Sequence, residues 1–370
     1  MKRPSKNVFV VASPLQLLNA IEAKHHFQLT NNHLIVYFDG AYSPERIKEL
    51  ILHRDWDGIH FLEFSTYPFS RIEAKLLGSR FSERADPYIG YFHSHINRMK
   101  INNLVKALGN VNYLFLGDYM TSLYTVKHMF HIANTLRHER LFLLDDGTST
   151  IVINEDRKNR LTNVDCGPAM PNSHFGRLSK LIRDRFVEWD QKEAPSVTFF
   201  SAYDINVRDG DFLIKNEYKH LRAQTKKAVQ SDSVFFVGQL MVETEYISEE
   251  SYLECIAKVK DYFAPDKLVY IPHPRASASR VRKIEESLGL TIMRTNIPIE
   301  CEICIRGNRP KVLASFLSSA LQNCKLMLDD LSIKAFHIPP DHWLRESEYM
   351  QSIYKSLESN TSNLFTIVYL

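Results

Sequence analysis

A pair of carboxylates lies at Asp145-Asp146-Gly147, directly after the apolar run Leu141–Leu144. The glycine permits a tight turn, so this pattern predicts two aspartates at the tip of a strand. An ionised carboxylate within hydrogen-bond reach of an acceptor hydroxyl can act as a general base. The same composition is typical of an ordinary β-turn or helix cap, so the segment alone leaves both interpretations open.

A histidine between two prolines follows a second apolar run, Leu268–Ile271. Pro272 and Pro274 stiffen the loop around His273. An imidazole held in this way can donate a hydrogen bond to a leaving phosphate and stabilise its developing charge. Arg275 either adds a second donor or only holds the loop. A structural loop with a capped histidine is the alternative interpretation.

Three further polar residues are candidate ligands for a nucleotide. Ser318 and Ser319 stand where a loop is predicted to enter a helix. Hydroxyls and free backbone N–H groups at a helix N-terminus can bind anions, although a plain capping serine is the commoner case. Glu300 is predicted at a strand edge, where a carboxylate can accept hydrogen bonds from both hydroxyls of a ribose.

Other motifs match metal or redox patterns but stand in the wrong context. The Asp-x-Asp pairs at 55–57 and 209–211 follow no clear strand, and we interpret both as surface turns. Cys301 and Cys304 have redox spacing, but we expect buried structural thiols there. The histidine pairs lack companions at zinc spacing, and no Walker or dinucleotide-binding glycine loop is present. The sequence therefore predicts neither a metal nor a cofactor.

The bulk composition limits the class of protein. The chain has 370 residues, of which 44% are hydrophobic and 24% charged, with a net charge of +3. This charge predicts no nucleic-acid partner, and five cysteines argue against a secreted disulfide framework. No apolar run approaches the ~18 residues that a membrane span needs. We therefore expect a cytoplasmic protein, with peripheral contact at the inner membrane left open.

Strand-like and helical segments alternate along the chain, which predicts parallel sheets built from βαβ units. One series starts at Asn7–Ala12 and a second near Ser233. The second series includes strands predicted at Ile303–Ile305 and Lys325–Leu328. The fold class is therefore α/β, with two Rossmann-like domains facing a cleft.

The predicted domain limits follow from these series. Residues 1–228 form an N-terminal domain that binds an acceptor, and residues 229–345 form a C-terminal domain that binds an activated donor. Residues 346–370 form a tail that packs back on the N-terminal domain. The segment Phe175–Trp189 interleaves large apolar side chains with four basic ones. It predicts a helix that packs on its own domain or contacts an anionic membrane.

The combination of these segments resembles the bacterial sialyltransferases. These comprise the lipooligosaccharide enzymes of glycosyltransferase family 52, the capsular polysialyltransferases and the multifunctional family-80 enzymes. The resemblance rests on Asp-Asp-Gly-Thr at 145–148, His-Pro at 273–274 and Ser-Ser at 318–319. The segments Val8–Ala20, Ala314–Leu321 and Pro339–Leu344 also resemble parts of these sequences.

The resemblance implies an inverting, metal-independent transferase of the GT-B type. Its donor would be CMP-sialic acid, and its acceptor a hydroxyl of a cell-surface glycan such as lipooligosaccharide or capsule. The residues implied for catalysis are Asp145, Asp146, His273 and Glu243. Those implied for donor binding are Gly147, Gln239, Pro274, Arg275, Glu300, Ser318 and Ser319.

Within this set, Asp145 would be the base or a close support for it. Some family-52 enzymes are thought to use an acidic residue from the loop after the first C-domain strand. That loop holds Gln239, Glu243 and Glu245 here, so Glu243 is a rival base.

Two other functions remain open at this point. The first is a transferase for another CMP-activated ulosonic acid, of the Kdo or pseudaminic type. The second is a non-catalytic nucleotide- or sugar-binding protein of the same fold. The sequence leaves open the acceptor, the linkage, the number of sugars added and whether the protein is a homodimer.

Overall fold

The computed structural model describes residues 6–38, 44–51, 56–63, 95–119, 127–159, 192–345 and 361–370, together with 351, 354–355 and 357–358. The chain divides into two units, Met1–Asn216 and Glu217–Leu370. Asp55, Cys166 and the basic segment Phe175–Trp189 lie outside the described residues.

Within the described ranges, the first unit contains a parallel sheet with the strand order β3-β2-β1-β4-β5-β6-β7. Its strands are β1 (Lys6–Val11), β2 (Asn32–Phe38), β3 (Gly58–Glu63), β4 (Val111–Leu116), β5 (His138–Leu144), β6 (Thr198–Ser201) and β7 (Phe212–Lys215). Its helices are α1 (Pro14–His26), α2 (Pro44–Ile51), α3 (95–108), α4 (Lys127–Thr135) and α5 (Ser149–Asn159).

The central strands of this sheet are apolar on both faces, as a parallel sheet covered by helices requires. On one face, Phe9 of β1 stacks on Phe115 of β4, with ring centroids 4.3 Å apart. Phe115 in turn stacks on Phe142 of β5 at 4.5 Å. These pairs lie across adjacent strands in register, so they fix the alignment of the three strands whose ends carry the candidate polar residues.

Over residues 217–345 and 361–370, the second unit contains a parallel sheet with the order β10-β9-β8-β11-β12-β13. Its strands are β8 (Val234–Val237), β9 (Leu268–Ile271), β10 (Thr291–Ile292), β11 (Val312–Ser315), β12 (Ser332–His337) and β13 (Phe365–Tyr369). Its helices are α6 (Lys219–Thr225), α7 (Glu249–Phe263), α8 (Ala278–Leu288), α9 (Ile299–Cys304) and α10 (Ser319–Met327), and a 3₁₀ turn covers Pro340–His342.

The limits of the units differ from the predicted ones. Helix α6, assigned from sequence to the N-terminal domain, belongs to the second unit. Its Arg222 guanidinium donates hydrogen bonds to the carbonyls of Leu326 (2.9 Å) and Met327 (3.3 Å) at the end of α10. The described end of the tail also differs from its prediction, because β13 pairs with β12 in the second sheet.

Two predicted strands of the second unit are wrong. Ile303–Ile305 belongs largely to helix α9, and Lys325–Leu328 to the end of α10. Both are short apolar runs, and periodicity alone cannot distinguish such a run from a buried helical turn. In the second case, Ser318 begins the helix by accepting a hydrogen bond from the backbone N–H of Ala320.

The α/β class with two Rossmann-like units is confirmed. In each sheet the strand order reverses once, between β1 and β4 in the first unit and between β8 and β11 in the second. Ligands of such sheets bind outside the carboxyl ends of the strands at the point of reversal. Among the described residues, no helix is long and apolar enough to cross a membrane.

Candidate active site

The carboxyl ends of β1, β4 and β5 bring a cluster of polar side chains to one edge of the first sheet. Ser13 follows β1, Asp118 follows β4, and Asp145 and Asp146 follow β5. These strands adjoin one another at the reversal of strand order. The predicted position of the aspartates at a strand tip is therefore confirmed, and Gly147 makes the turn with a left-handed φ of 60°.

Asp145 is tied into the protein interior. Its side chain is buried, and its Oδ2 accepts a hydrogen bond from the backbone N–H of Ala202 at 2.7 Å. Its carbonyl accepts another from the Asn19 side chain at 2.9 Å. Burial raises the pKa of Asp145 to about 6, against hydrogen bonds from Ser201 and Ala202 that lower it. Asp145 therefore joins β5 to α1 and β6.

Asp146 is the more accessible carboxylate of the pair, because its side chain is only half-buried. Burial and the charge of Asp118 raise the pKa of Asp146 to about 7. Hydrogen bonds from Gln16 and Ser13 act in the opposite direction. A carboxylate whose pKa lies near neutrality can take up a proton at working pH, which suits general-base catalysis.

Gln16 and Ser13 were not among the sequence candidates, and the local structure explains their placement. Ser13 caps α1 by accepting a hydrogen bond from the Gln16 backbone N–H at 3.2 Å. The Gln16 Oε1 accepts from the Ala12 N–H at 2.7 Å, which leaves its amide group as the donor to Asp146. A Cβ at Gly117 would overlap the Gln16 side chain. In the sequence, the one indication that a capped helix starts here is the Ser-Pro pair after an apolar strand.

In the second unit, His273 lies in the loop between β9 and α8. Its Nδ1 accepts a hydrogen bond from the backbone N–H of Arg275 at 3.1 Å. This contact suits a neutral ring that carries its proton on Nε2. Burial and the charge of Arg275 lower the pKa of His273, against a smaller opposing effect of Glu243. The imidazole can therefore donate a hydrogen bond through Nε2 at neutral pH, while Pro274 and Arg275 are exposed.

Gln239 connects the loops that follow β8 and β11. Its Oε1 accepts a hydrogen bond from the backbone N–H of Leu317 at 3.0 Å, directly before Ser318. Its own N–H donates to the Tyr252 hydroxyl at 3.2 Å, and that hydroxyl lies 3.2 Å from the Tyr270 hydroxyl. A Cβ at the preceding Gly238 would overlap the Tyr270 hydroxyl. Polar contacts, one of them buried, therefore hold the loops at the strand reversal of this unit.

Glu243, the rival base, forms an ion pair with Arg280. Its Oε1 also accepts a hydrogen bond from the backbone N–H of Ser277 at 3.3 Å. Both partners belong to the start of α8, so the carboxylate links the loop after β8 to that helix.

The serine pair and Glu300 lie on neighbouring helices. Ser318 is the half-buried N-cap of α10, and Ser319 is the exposed first residue of that helix. Glu300 lies in the first turn of α9, not at a strand edge as predicted, and is buried. Its Oε1 accepts a hydrogen bond from the Asn323 side chain of α10 at 2.9 Å. Burial raises the pKa of Glu300.

Two of the discounted motifs include residues that the structure describes. Cys301 and Cys304 are buried free thiols, as predicted, and burial raises the pKa of Cys301 well above its usual value. The surface-turn interpretation is wrong for Asp211, which is buried and accepts two hydrogen bonds of 2.8 Å from Arg157. In the described part of the chain, no three or more His, Cys, Asp or Glu side chains form a group that could hold a metal ion.

Comparisons with known proteins give one match over most of the chain. A sequence model of the alpha-2,8-polysialyltransferases (POLYST) matches residues 7–337. A search of curated proteins finds no match.

Several solved structures are similar at low sequence identity. The alpha/beta-galactoside alpha-2,3-sialyltransferase of Photobacterium phosphoreum is 11% identical, with 100% of this chain and 99% of that chain covered and a TM-score of 0.49. MurG of Acinetobacter baumannii is 9% identical, with 98% of this chain and 86% of that chain covered and a TM-score of 0.43. The UDP-GlcNAc 2-epimerase of Methanocaldococcus jannaschii is 11% identical, with 97% of this chain and 95% of that chain covered and a TM-score of 0.46. Likeness at this level says nothing about the reaction.

Proposed function

The chain belongs to the alpha-2,8-polysialyltransferase family, and we propose that it catalyses an inverting, metal-independent transfer of sialic acid to a glycan hydroxyl. Family membership makes it a glycosyltransferase, with CMP-sialic acid as the donor and a glycan as the acceptor. We further propose that the acceptor is a cell-surface glycan of the capsule type. The attacked hydroxyl would belong to a terminal sialic acid of that glycan, in keeping with the linkage in the family's description.

Asp146 is the residue we assign as general base. The observation that carries the proposal is its raised pKa of about 7, at the ligand-binding edge of the first sheet. The acceptor hydroxyl is a weak nucleophile, and loss of its proton to Asp146 as the new bond forms makes it a stronger one. Asp145 supports the turn, because its carboxylate and carbonyl are already engaged by Ala202 and Asn19.

His273 is the residue we assign to the leaving group. As the bond from the sugar's anomeric carbon to the phosphate oxygen breaks, the electron pair remains on CMP. A phosphate leaving group needs stabilisation of its charge more than a proton, and preorganised donors supply this. His273 donates through Nε2, since its Nδ1 is occupied by the Arg275 N–H.

Ser318 and the start of α10 are the second set of phosphate ligands. The Ser318 hydroxyl accepts from the Ala320 N–H and can still donate its own proton to a phosphate oxygen. The N-terminus of α10 adds a favourable dipole. These donors and His273 can together take the place of a cation. Glu300 would accept hydrogen bonds from the ribose hydroxyls.

Displacement from the face opposite CMP inverts the anomeric centre. An attack of this kind needs a base on the acceptor side and charge stabilisation on the donor side. The carboxylates of the first unit and the donors of the second supply these two requirements separately.

The test uses the whole protein with CMP-sialic acid, with and without an oligosialic acceptor. CMP release should depend on the acceptor, and NMR of the product should show an anomeric configuration opposite to that of the donor. Parallel reactions with CMP-Kdo and a CMP-pseudaminic-type sugar should release little CMP. Retention of configuration, or no release of CMP above the background with any sialylated acceptor, would contradict the proposal.

A further inference from the structure

The loop that carries His273 is folded mainly on itself. The Arg275 N–H donates to the His273 Nδ1, and the Ala276 N–H donates to the His273 carbonyl at 2.8 Å. Neither contact leaves the loop. Apart from its bonds to α8, the loop 272–277 makes one hydrogen bond to another element within residues 192–345. In this bond the Ser277 N–H donates to Glu243.

Glu243 makes this connection with two contacts at the start of α8. The Ser277 N–H donates to Glu243 Oε1 at 3.3 Å, and Ser277 is the N-cap of the helix. The Arg280 guanidinium, in the first turn, forms an ion pair with the same oxygen. An anionic group at a helix N-terminus is also favoured by the helix dipole. Glu243 therefore anchors α8, and the loop before it, to the segment that follows β8.

These contacts occupy the Glu243 carboxylate, because the Ser277 N–H and the Arg280 guanidinium both bind its Oε1 atom. Its side chain is 23% exposed, so the ion pair is partly shielded from water. Glu249 lies 3.6 Å from Arg280 Nε and adds a second anion to the cluster.

We propose that Glu243 is a positioning residue of the transfer reaction: by holding Ser277 and Arg280, it fixes the loop that directs His273 to the leaving phosphate. The inference rests on the proposed function, in which His273 stabilises that phosphate. In this role Glu243 acts through His273 and is not the base.

The first test compares three variants of the full-length protein. Glu243→Ala removes both contacts, and a displaced catalytic loop should lower kcat by roughly 10- to 100-fold. Glu243→Gln keeps an acceptor for the Ser277 N–H but loses the ion pair, so its loss should be smaller. Calorimetry should show CMP affinity falling in the same order. Glu245→Gln, an exposed carboxylate two residues later, is the matched control and should behave as wild type.

The second test measures the ionisation of His273 itself. Two charged groups face the imidazole: Arg275 from its own loop and Glu243 from the loop after β8. The Glu243 charge raises the pKa of His273, so Glu243→Gln should shift the His273 titration to lower pH. NMR of protein labelled at the histidine Cε1 position measures this shift. The signal is assigned among the 15 histidines by its loss in His273→Gln.

The third test uses Arg280. If Glu243 acts through this ion pair, Glu243→Gln and Arg280→Gln should lower kcat by similar factors. The double variant should then be no worse than either single one.

Two results would overturn the positioning role. The first is full activity in Glu243→Ala. The second is a loss above about 100-fold in Glu243→Gln with CMP affinity and the His273 titration unchanged, which is the behaviour of a general base. If the wild type transfers no sialic acid at all, the proposed function fails. CMP binding and the His273 titration would still decide whether Glu243 positions the loop.

Discussion

Apart from a seventh strand in the first sheet, the two units have the same strand order, and they differ in the polar residues beside its reversal. Each has a parallel sheet whose strand order reverses once, and each carries polar residues at the carboxyl ends beside that reversal. In the first unit these residues include carboxylates. Burial raises the pKa of Asp145 and of Asp146, and the charges of Asp118 and Asp145 raise that of Asp146 further. In the second they are donors: an imidazole, a capping serine and a helix N-terminus.

This difference shows that the fold supplies a location and the side chains supply the reaction. Burial and the charge of Asp118 raise the pKa of Asp146, so the first edge suits a group that takes up a proton. At the second edge, the Arg275 N–H favours an imidazole with its proton on Nε2, which suits an anion. A substitution at the first edge should therefore lower kcat with little change in CMP affinity. A substitution at the second edge should also weaken CMP binding.

The largest effect is expected at Asp146. Asp146→Asn removes the proposed base, and kcat should fall by roughly 10²- to 10⁴-fold. CMP affinity should be nearly unchanged, because the proposed nucleotide ligands all belong to the second unit. Steady-state kinetics and calorimetry measure the two quantities. Asp145→Asn is the matched control and should lose less. An inactive Asp145→Asn beside an active Asp146→Asn would reverse the assignment.

The second-largest effect is expected at His273. His273→Ala removes the Nε2 donor, and loss of one preorganised donor typically costs about 10²- to 10³-fold in kcat. Unlike Asp146→Asn, this variant should also bind CMP more weakly in calorimetry. His342→Ala, in the 3₁₀ turn of the same unit, should leave both quantities unchanged. Equal CMP affinity in His273→Ala and wild type would remove His273 from the phosphate site.

A smaller effect is expected at Ser318. Ser318→Ala removes the cap of α10, which should cost about 1 kcal/mol of stability and lower CMP affinity as well. Ser318→Asp separates these two roles, since aspartate caps a helix but repels a phosphate. Thermal unfolding should recover in Ser318→Asp while CMP affinity falls further. Recovery of both would mean that the serine is only a cap.

The pH dependence should identify the first unit as the site of the base. The proposed base Asp146 would act in its ionised form, and its pKa is raised to about 7, so kcat/KM should fall as pH drops through that value. Asp118→Asn removes one cause of the raised pKa, so in this variant the fall in kcat/KM should occur at lower pH. His273 cannot cause a fall near pH 7, because its pKa lies below the usual 6.5. An unchanged pH profile in Asp118→Asn would contradict the assignment.

The smallest effect is expected from chelation. EDTA should leave the transfer rate unchanged, because His273, Ser318 and the α10 N-terminus supply the charge stabilisation proposed for the phosphate. Initial rates with EDTA, and after addition of Mg²⁺ or Mn²⁺, measure this. Loss of activity that either ion restores would contradict a metal-independent reaction.

Much of the fold was predictable from the sequence because parallel strands are short apolar runs between helices. The apolar run Leu268–Ile271 is a strand with the same limits in the structure. Asp145 and His273 were placed correctly after their strands for the same reason. The failures were Ile303–Ile305 and Lys325–Leu328, where apolar residues face the core from a helix. The local sequence pattern does not distinguish a short apolar strand from a buried helical turn. Tertiary packing decides between them.

The roles of the candidate residues depended on contacts that no local pattern contains. The sequence by itself determined the residue types at each strand end, since those follow directly in the chain. Only the tertiary structure placed Asp118 near Asp146 and Glu243 beside Ser277 and Arg280. Ionisation and hydrogen bonding depend on burial and on neighbours that are distant in sequence. For that reason the sequence predicted which residues follow the strand ends, and packing decided that Asp146 is half-buried while Glu243 is held in an ion pair.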